Sequence, residues 1–451
     1  MKRFLGILLG CLITAAACAA TGCEEKKTMN TQIPEGYVAE GSYAQTQEEK
    51  ARMFDKQDVT YIYNYCPSVM QEGENIRHIY YCANIADRAV IDAIAYRRGI
   101  RVEGVWYWSP EQIVLTPSEK TFDYKTFDWD GVDWSAQDWD KDVAWDNGAW
   151  DRRHVCDPSV IKGEFAYRGE NYSYLMAYLG CYVADRDNEI GLAVSKSPAG
   201  PWVRVEYAAD PEKDVNHIDG LVSEKDPWTR GNRAFIAFDA SFEEYYDSAA
   251  AQIAGAWGVG QPSLVSVDKK GKVLVFYTAN GGSVARVMSE RWDLSDLSAP
   301  VREFREELTM RGITQYGSSE ASYACSNSDL GYDPVKNRFY IVGDAFPFPS
   351  DVPTYIAQYS YVGYMNNIGG TSELGDRFIG ESKLTARWNE VDFIDEYMTG
   401  YARNHNAGLV KDEYGWIPSS DSLEVCVTAS TAGSGFGYTY RISRYTLDTR
   451  D

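Results

Sequence analysis

One short motif recurs along this chain and constrains its fold more than any other feature. A proline and a serine followed by valine or leucine occur at Pro67, Pro158 and Pro262. Two further segments rich in β-branched and aromatic residues follow each copy, so every copy predicts a small antiparallel sheet of at least three strands. Such a sheet cannot bury both of its faces alone. Repeated copies therefore predict sheets that pack against one another.

Two looser copies of the same three-strand pattern begin at Asn327 and His405. Five copies then start near residues 65, 156, 260, 326 and 405, and we predict an all-β fold, a five-bladed β-propeller over residues 59–451. The spacing of the starts is uneven, which places insertions between blades 1 and 2 (106–151) and between blades 2 and 3 (205–257). An irregular β-sandwich is the alternative fold.

The first 23 residues predict a lipoprotein signal peptide. Lys2 and Arg3 precede an apolar run that is too short to span a bilayer. The run ends in Ala20-Thr21-Gly22-Cys23, which resembles a bacterial lipobox with Cys23 as the lipidated residue, and Cys18 is a competing site. Residues 24–58 are predicted to be a tether and N-terminal segment. We expect an exported protein that is lipid-anchored in the bacterial cell envelope, at the outer membrane, on its periplasmic or surface face.

The net charge and the cysteine content limit the kinds of partner and metal site that the protein can have. The formal net charge of −22 argues against a nucleic-acid partner, because phosphate binding needs clustered Lys and Arg. Six cysteines follow the leader, none with metal-ligand spacing, and we interpret them as buried free thiols. They are Cys66, Cys82, Cys156, Cys181, Cys325 and Cys426. Repeated Asp-Trp pairs within 128–146 indicate a solvated loop, with a calcium- or sugar-binding loop as the alternative.

Two longer runs suggest a family. The stretches IGLAVSKSPAGPW, from Ile190, and HNAGLVKDEYGW, from His405, resemble the five-bladed propeller glycosidases of glycoside hydrolase family 43, which include arabinanases, xylosidases and fructosidases. The resemblance covers roughly residues 60 to 450. It implies an Asp base, an Asp modulator and a Glu acid at the starts of blades one to three. This chain has Cys66, Asp157 and Gln261 there, so only one of the three carboxyl groups is present.

Three functions remain open on this basis. In the first, the chain is a glycoside hydrolase whose acid and base come partly from elsewhere, since hydrolysis of a glycosidic bond takes two carboxyl groups. Its candidate catalytic residues are Asp157, Glu320 and Asp219. In the second, it is a catalytically inactive propeller that binds a poly- or oligosaccharide. In the third, it is a protein-interaction platform.

The candidate substrate-binding residues are polar or aromatic groups expected near the axis: Gln261, His405, Trp257, Cys66 and Asn327. We predict no cofactor. His405 matches a family histidine that in some members helps to hold a central ion, so an axial ion near His405 is the alternative, as is a merely hydrogen-bonded histidine.

Overall fold

The structure is a computed structural model. It describes residues 32–42, 52–53, 62–85, 91–118, 149–181, 188–207, 234–238, 242, 245, 257–281, 285–318, 325–366 and 386–450. The chain divides into two units, Met1–Glu35 and Gly36–Asp451, and all that follows concerns the second. Among the described residues, no helix has both the length and the apolar character that a membrane crossing needs.

The second unit consists of antiparallel meanders, each made of consecutive strands. The first meander contains β2 (Ile62–Glu72), β3 (Ile76–Asn84), β4 (Asp92–Val102) and β5 (Val105–Trp108), with β1 (Val38–Ala39) on β5 and β6 (Gln112–Leu115) on β4. The second contains β7 (His154–Tyr167), β8 (Glu170–Cys181), β9 (Glu189–Ser195) and β10 (Val203–Arg204). The third contains β11 (Gly258–Ser266), β12 (Lys272–Asn280), β13 (Ala285–Asp293) and β14 (Val301–Glu307).

Two more meanders complete the described part of the unit. The fourth contains β15 (Ser326–Asp333), β16 (Arg338–Ala345), β17 (Tyr359–Asn366) and β18 (Asn389–Ile394). A short helix, α1 (Glu396–Thr399), leads into the fifth, which contains β19 (Arg403–Asp412), β20 (Ser422–Ser430) and β21 (Arg441–Asp448). Asp395 caps α1 by accepting the Met398 N–H, and Gly400 ends it in the left-handed conformation.

The first and last meanders are joined directly. Strand β19 pairs with β2 in parallel, with Val410 opposite Val69, and this merges the two meanders into one nine-stranded sheet. The other sheet neighbours pair in antiparallel fashion. The chain therefore closes on itself, as a propeller requires, and the all-β propeller predicted from the sequence is confirmed.

The first strand of every meander carries the same irregularity. Its register against the second strand shifts at a β-bulge. One non-glycine residue in each bulge adopts a left-handed backbone: Cys66 (φ 51°), Asp157 (φ 49°), Gln261 (φ 53°), Asn327 (φ 52°) and Asn406 (φ 45°). A bulge re-aims a side chain, and a positive φ in a non-glycine residue is uncommon. Five equivalent occurrences show that the motif copies found in the sequence are structurally equivalent.

The serine of the motif links neighbouring meanders. Ser159 Oγ accepts the Leu264 N–H at 2.9 Å. Ser263 Oγ accepts the Leu330 N–H at the same distance. The fourth copy has Asp329 in place of serine, and its Oδ2 accepts the Leu409 N–H at 2.8 Å. The first strands of the second, third, fourth and fifth meanders do not pair with one another as β-ladders. These side chains therefore satisfy main-chain N–H groups that would otherwise be buried without a partner.

The hydrophobic core lies between adjacent sheets. Five clusters each combine buried side chains from two neighbouring meanders: Tyr80 with Met176, Leu175 with Val275, Phe276 with Phe339, Val342 with Val425, and Ile79 with Cys426. Full burial of one such side chain contributes about 1.5–3 kcal/mol. The faces of each sheet are thus covered by neighbouring meanders, as expected for small sheets that cannot bury both faces alone.

Candidate functional site

Four of the five left-handed residues are fixed by a second set of hydrogen bonds between meanders. Cys66 N–H donates to Thr428 Oγ1 at 3.1 Å, and Asn327 N–H donates to Thr278 Oγ1 at 3.1 Å. Each acceptor stands on the second strand of the preceding meander. The equivalent position in the second meander is Leu179, which faces Cys156 in the register and has no acceptor to offer.

The same pattern holds at the remaining two links, with different acceptors. Asp157 N–H donates to Cys82 Sγ at 2.9 Å, and Asn406 N–H donates to Asp344 Oδ1 at 2.9 Å. The bulges therefore project one thiol, one carboxyl and three amide side chains from neighbouring inner strands. We call Cys66, Asp157, Gln261, Asn327 and Asn406 the axial set.

Asp157 is the carboxyl group of the axial set. Its side chain is 4% exposed, and the Cys82 thiol lies 3.5 Å from its Oδ1. Burial raises the pKa of Asp157 to about 6, with the thiols of Cys66 and Cys82 lowering it in part. A carboxyl with such a pKa exchanges its proton near neutral pH, which suits a general acid or base.

A second buried carboxyl group, Asp344, lies behind two of the amides. It is fully buried; its Oδ2 accepts from Asn327 Nδ2 at 2.7 Å and its Oδ1 from the Asn406 N–H. Asn327 Nδ2 also donates to Asn406 Oδ1 at 2.8 Å. Burial raises the pKa of Asp344 to about 8, and the donated hydrogen bonds lower it in part. Asp344 holds the two amides in place.

Sequence reasoning missed both Asp344 and Asn406. Asn406 is the left-handed residue of the fifth meander, one position after His405, which was matched to the family histidine. The available signal was the motif itself, because Asn406 stands where Cys66 and Asp157 stand in their copies. Asp344 carries no local signal, since it acts on residues 17 and 62 positions away along the chain.

His405 and Gln261 each present an unpartnered buried atom. His405 is 2% exposed, and its ring lies 5.1 Å from that of Tyr440. Burial lowers the pKa of His405 to about 3, which keeps the imidazole neutral. Among the described residues, neither His405 Nε2 nor Gln261 Oε1 has a hydrogen-bond partner. Buried polar atoms without a partner are rare in folded proteins, and a polar ligand would satisfy them.

Aromatic side chains border the axial set. Trp257 and Tyr65, both half-buried, pack with Cys66 against Leu179. Tyr65 also stacks edge-on with Tyr63 at 5.4 Å between ring centroids. Tyr65 donates its hydroxyl to the Asp92 carboxylate at 2.8 Å. Amphipathic rings next to amide and carboxyl groups form the kind of surface that binds a polar ligand with an apolar face, such as a sugar ring.

Three thiols gather beside Asp157. The ligand atoms of Cys66, Cys82 and Asp157 all lie within 4.8 Å of one another. Cys156 belongs to the same buried cluster as Cys82. All six described cysteines are free, five of them buried and Cys66 half-buried, as the sequence predicted for the thiols. Spacing along the chain did not predict this cluster, because its members come from three different strands, β2, β3 and β7.

The axial set thus brings together four of the predicted residues, Cys66, Asp157, Gln261 and Asn327, with Trp257 at its border. His405 lies beside it, next to Asn406. The predicted catalytic residues Glu320 and Asp219, and the predicted lipidation site Cys23, lie outside the described residues.

No protein-family model matches the sequence, and no curated protein matches it. Solved glycoside hydrolases resemble the chain in fold. A thermostable family-43 glycoside hydrolase is 13% identical, with a TM-score of 0.42 over 87% of this chain and 92% of that one. A family 117 glycoside hydrolase of Zobellia galactanivorans is 13% identical, with a TM-score of 0.42 over 88% of each chain.

An endo-arabinase of Bacteroides thetaiotaomicron is 11% identical, with a TM-score of 0.40 over 87% of this chain and 96% of that one. Identities and TM-scores of this size do not identify a substrate or a reaction. The proposals that follow therefore rest on the axial residues.

Proposed function

We propose that this protein is a glycoside hydrolase-like propeller that binds a poly- or oligosaccharide at the axial set and cleaves it with Asp157 as one of two carboxyl groups. The observation that carries the proposal is that Asp157 and three amides, Gln261, Asn327 and Asn406, occupy four of the five equivalent bulges. Carboxyl and amide groups are the usual partners of sugar hydroxyls, and the bordering Trp257 supplies an apolar face.

Hydrolysis of a glycosidic bond needs an acid on the leaving oxygen and a base or nucleophile on the opposite side of the sugar. Asp157 takes the second role in this proposal. Glu320, which directly precedes the fourth meander in the sequence, takes the first, and Asp219 is the alternative acid. Asp344 is a positioning residue, because it is fully buried and contacts the axial amides rather than the ligand side.

A catalytically inactive glycan-binding propeller is the second candidate. It is favoured by the chemistry of the axial set, in which Asp157 is accompanied by amides and a thiol. An amide binds a hydroxyl group well but cannot transfer a proton as a carboxyl group does. In this case Asp157 would hydrogen-bond the sugar without reacting.

One pair of measurements separates the two candidates. Purified protein is incubated with arabinan, xylan and host-type glycans, release of reducing ends is followed, and binding is measured in parallel by calorimetry. Asp157→Asn is expected to abolish turnover and leave the melting temperature unchanged, while Asp268→Asn, in an exposed turn of the third meander, retains wild-type behaviour. Binding without turnover in the wild type would exclude the hydrolase and support the glycan-binding propeller.

We also propose that Cys23 is lipidated and anchors the protein in the cell envelope, as its lipobox-like context indicates. Metabolic labelling with a fatty-acid analogue in a bacterial host tests this. Cys23→Ala should abolish labelling, and Cys18→Ala should leave it intact. Persistent labelling of the Cys23 variant would contradict the assignment.

A further inference from the structure

We infer that the thiols of Cys66 and Cys82, together with the Asp157 carboxylate, form a binding site for a thiophilic divalent metal ion such as Zn²⁺. The inference rests on the donor geometry and not on the proposed function, and an ion bound here would occupy the Asp157 carboxylate that the proposed function uses as base or nucleophile. Its basis is the convergence of three donor atoms from three different strands, with every pair within 4.8 Å.

The donor set fits such an ion in type and in size. Zn²⁺ takes cysteine sulfur at about 2.3 Å and carboxylate oxygen at about 2.0–2.2 Å in a tetrahedral arrangement. Ligand atoms at those bond lengths are about 3.5–3.8 Å apart. The observed limit of 4.8 Å means that each donor has to move inward by no more than about 1 Å. Side-chain rotation alone can supply that movement.

The fourth position has two candidate ligands. One is Cys156, which directly precedes Asp157 and shares a buried cluster with Cys82 and Leu179, but lies outside the group of donor atoms that are all within 4.8 Å of one another. The alternative fourth ligand is water, since Cys66 is half-buried while Cys82 is fully buried. The half-buried side of the site is also the entry path for the ion.

The surroundings favour a bound cation. The main-chain N–H of Asp157 donates to Cys82 Sγ at 2.9 Å. At the equivalent positions of other meanders the acceptor is an oxygen atom, of Thr278, Thr428 or Asp344. An N–H donor stabilises a negatively charged sulfur, and hydrogen bonds of this kind support metal-bound thiolates.

A nearby carboxylate adds negative charge. Tyr65 packs against the thiol cluster and donates its hydroxyl to Asp92 Oδ2 at 2.8 Å. Asp92 is 4% exposed, and its Oδ1 has no hydrogen-bond partner among the described residues. A buried carboxylate beside the thiols lowers the energy of a cation placed between them.

The test is a titration of the purified, reduced full chain with Co²⁺, then with Zn²⁺ as competitor, without any saccharide. One equivalent of Co²⁺ should bind and give sulfur-to-metal charge-transfer absorption, and excess Zn²⁺ should displace it. Cys82→Ala and Cys66→Ala should each weaken binding at least about 100-fold, since even the loss of supporting outer contacts costs 10- to 100-fold. Cys426→Ala, which removes a buried thiol of β20, should bind like the wild type.

Should the Cys82 variant fail to fold, Asp157→Asn serves as the second variant, because it keeps the side-chain shape and removes one charged ligand. Any one of three results overturns the inference. The first is the absence of stoichiometric Co²⁺ binding, and the second is a charge-transfer absorption that none of the Cys82, Cys66 and Asp157 variants changes. The third is a Cys66–Cys82 disulfide in the isolated protein that mass spectrometry shows to persist in reductant. Saccharide turnover is measured separately, so failure of metal binding leaves the proposed function untouched.

Discussion

A Cβ atom on Gly408 would lie 1.9 Å from the carbonyl oxygen of Pro67. Gly408 belongs to β19 in the last meander and Pro67 to β2 in the first, so this contact is part of the closure of the propeller. Two residues further along, Val410 stands opposite Val69 in the parallel pairing of the same strands. Absence of a side chain at residue 408 is therefore what allows the two strands to approach.

Gly408→Ala should destabilise the protein by about 3 kcal/mol, the upper end of the cost of overpacking, because the atom it meets is main chain and cannot rotate away. Urea unfolding followed by fluorescence measures this. Gly435→Ala is the matched control, since nothing lies within 4 Å of its added Cβ, and it should change stability by less than about 0.5 kcal/mol. Equal stability of the two variants would contradict the closure contact.

Lys411 should be strongly stabilising despite its charge. Its Nζ lies 2.6 Å from Asp329 Oδ1 and donates to the Leu330 carbonyl at 3.1 Å, and the residue is 2% exposed. Lys411→Met leaves Asp329 without its cation, which should cost about 3–5 kcal/mol.

A double variant, Lys411→Met with Asp329→Asn, should recover part of that loss, because the unpaired charge is removed while an amide oxygen can still accept the Leu409 N–H. Lys196→Met serves as the control, since its pair with Glu170 is exposed on both sides and should give no measurable change in the urea midpoint. A double variant no more stable than Lys411→Met would show that packing, not charge, explains the effect.

Asp344 should make the folded state less stable as pH rises. Burial raises its pKa in the folded protein to about 8, above the ordinary value of 3.8. Between these values the folded state holds a proton that the unfolded state has lost, so the free energy of unfolding falls with rising pH. The contribution is fully present below about pH 4 and is lost by about pH 8.

The measurement is the free energy of unfolding of the wild type and of Asp344→Asn across this range. Asparagine does not titrate, so the wild-type curve should fall relative to that of the variant between pH 4 and 8, by the order of a few kcal/mol. Only the difference in slope is diagnostic, since the variant also loses an acceptor for Asn327 or Asn406. Parallel curves would refute the raised pKa.

Trp257 should contribute to saccharide binding more than to stability. It is half-buried beside Cys66 at the border of the axial set. Trp257→Ala should weaken binding of any bound oligosaccharide about 10-fold, or 1.4 kcal/mol, because a stacking surface for the sugar ring is removed. Trp292→Ala, on the outer part of the third meander, should bind with unchanged affinity in calorimetry. An equal loss in both variants would point to a general effect on folding.

The sequence by itself determined the repeated unit. Pro-Ser-Val/Leu is a local pattern, and it predicted the first strands of the first three meanders, while looser copies at Asn327 and His405 predicted those of the last two. The motif can be recognised in the sequence because the bulge, the left-handed residue and the serine acceptor all lie within four consecutive positions. The thiol character of the buried cysteines followed from the same apolar, strand-like surroundings.

Only the tertiary structure decided which residues contact one another between neighbouring meanders. Asp344 reaches Asn406, and Cys82 reaches Asp157, through main-chain donors on the next meander, and no spacing along the chain encodes such pairs. That Asn406, and not the neighbouring His405, adopts the left-handed backbone was decided in the same way, by the register of the bulge. Contacts of this kind depend on how the meanders pack against one another, which only the folded chain determines.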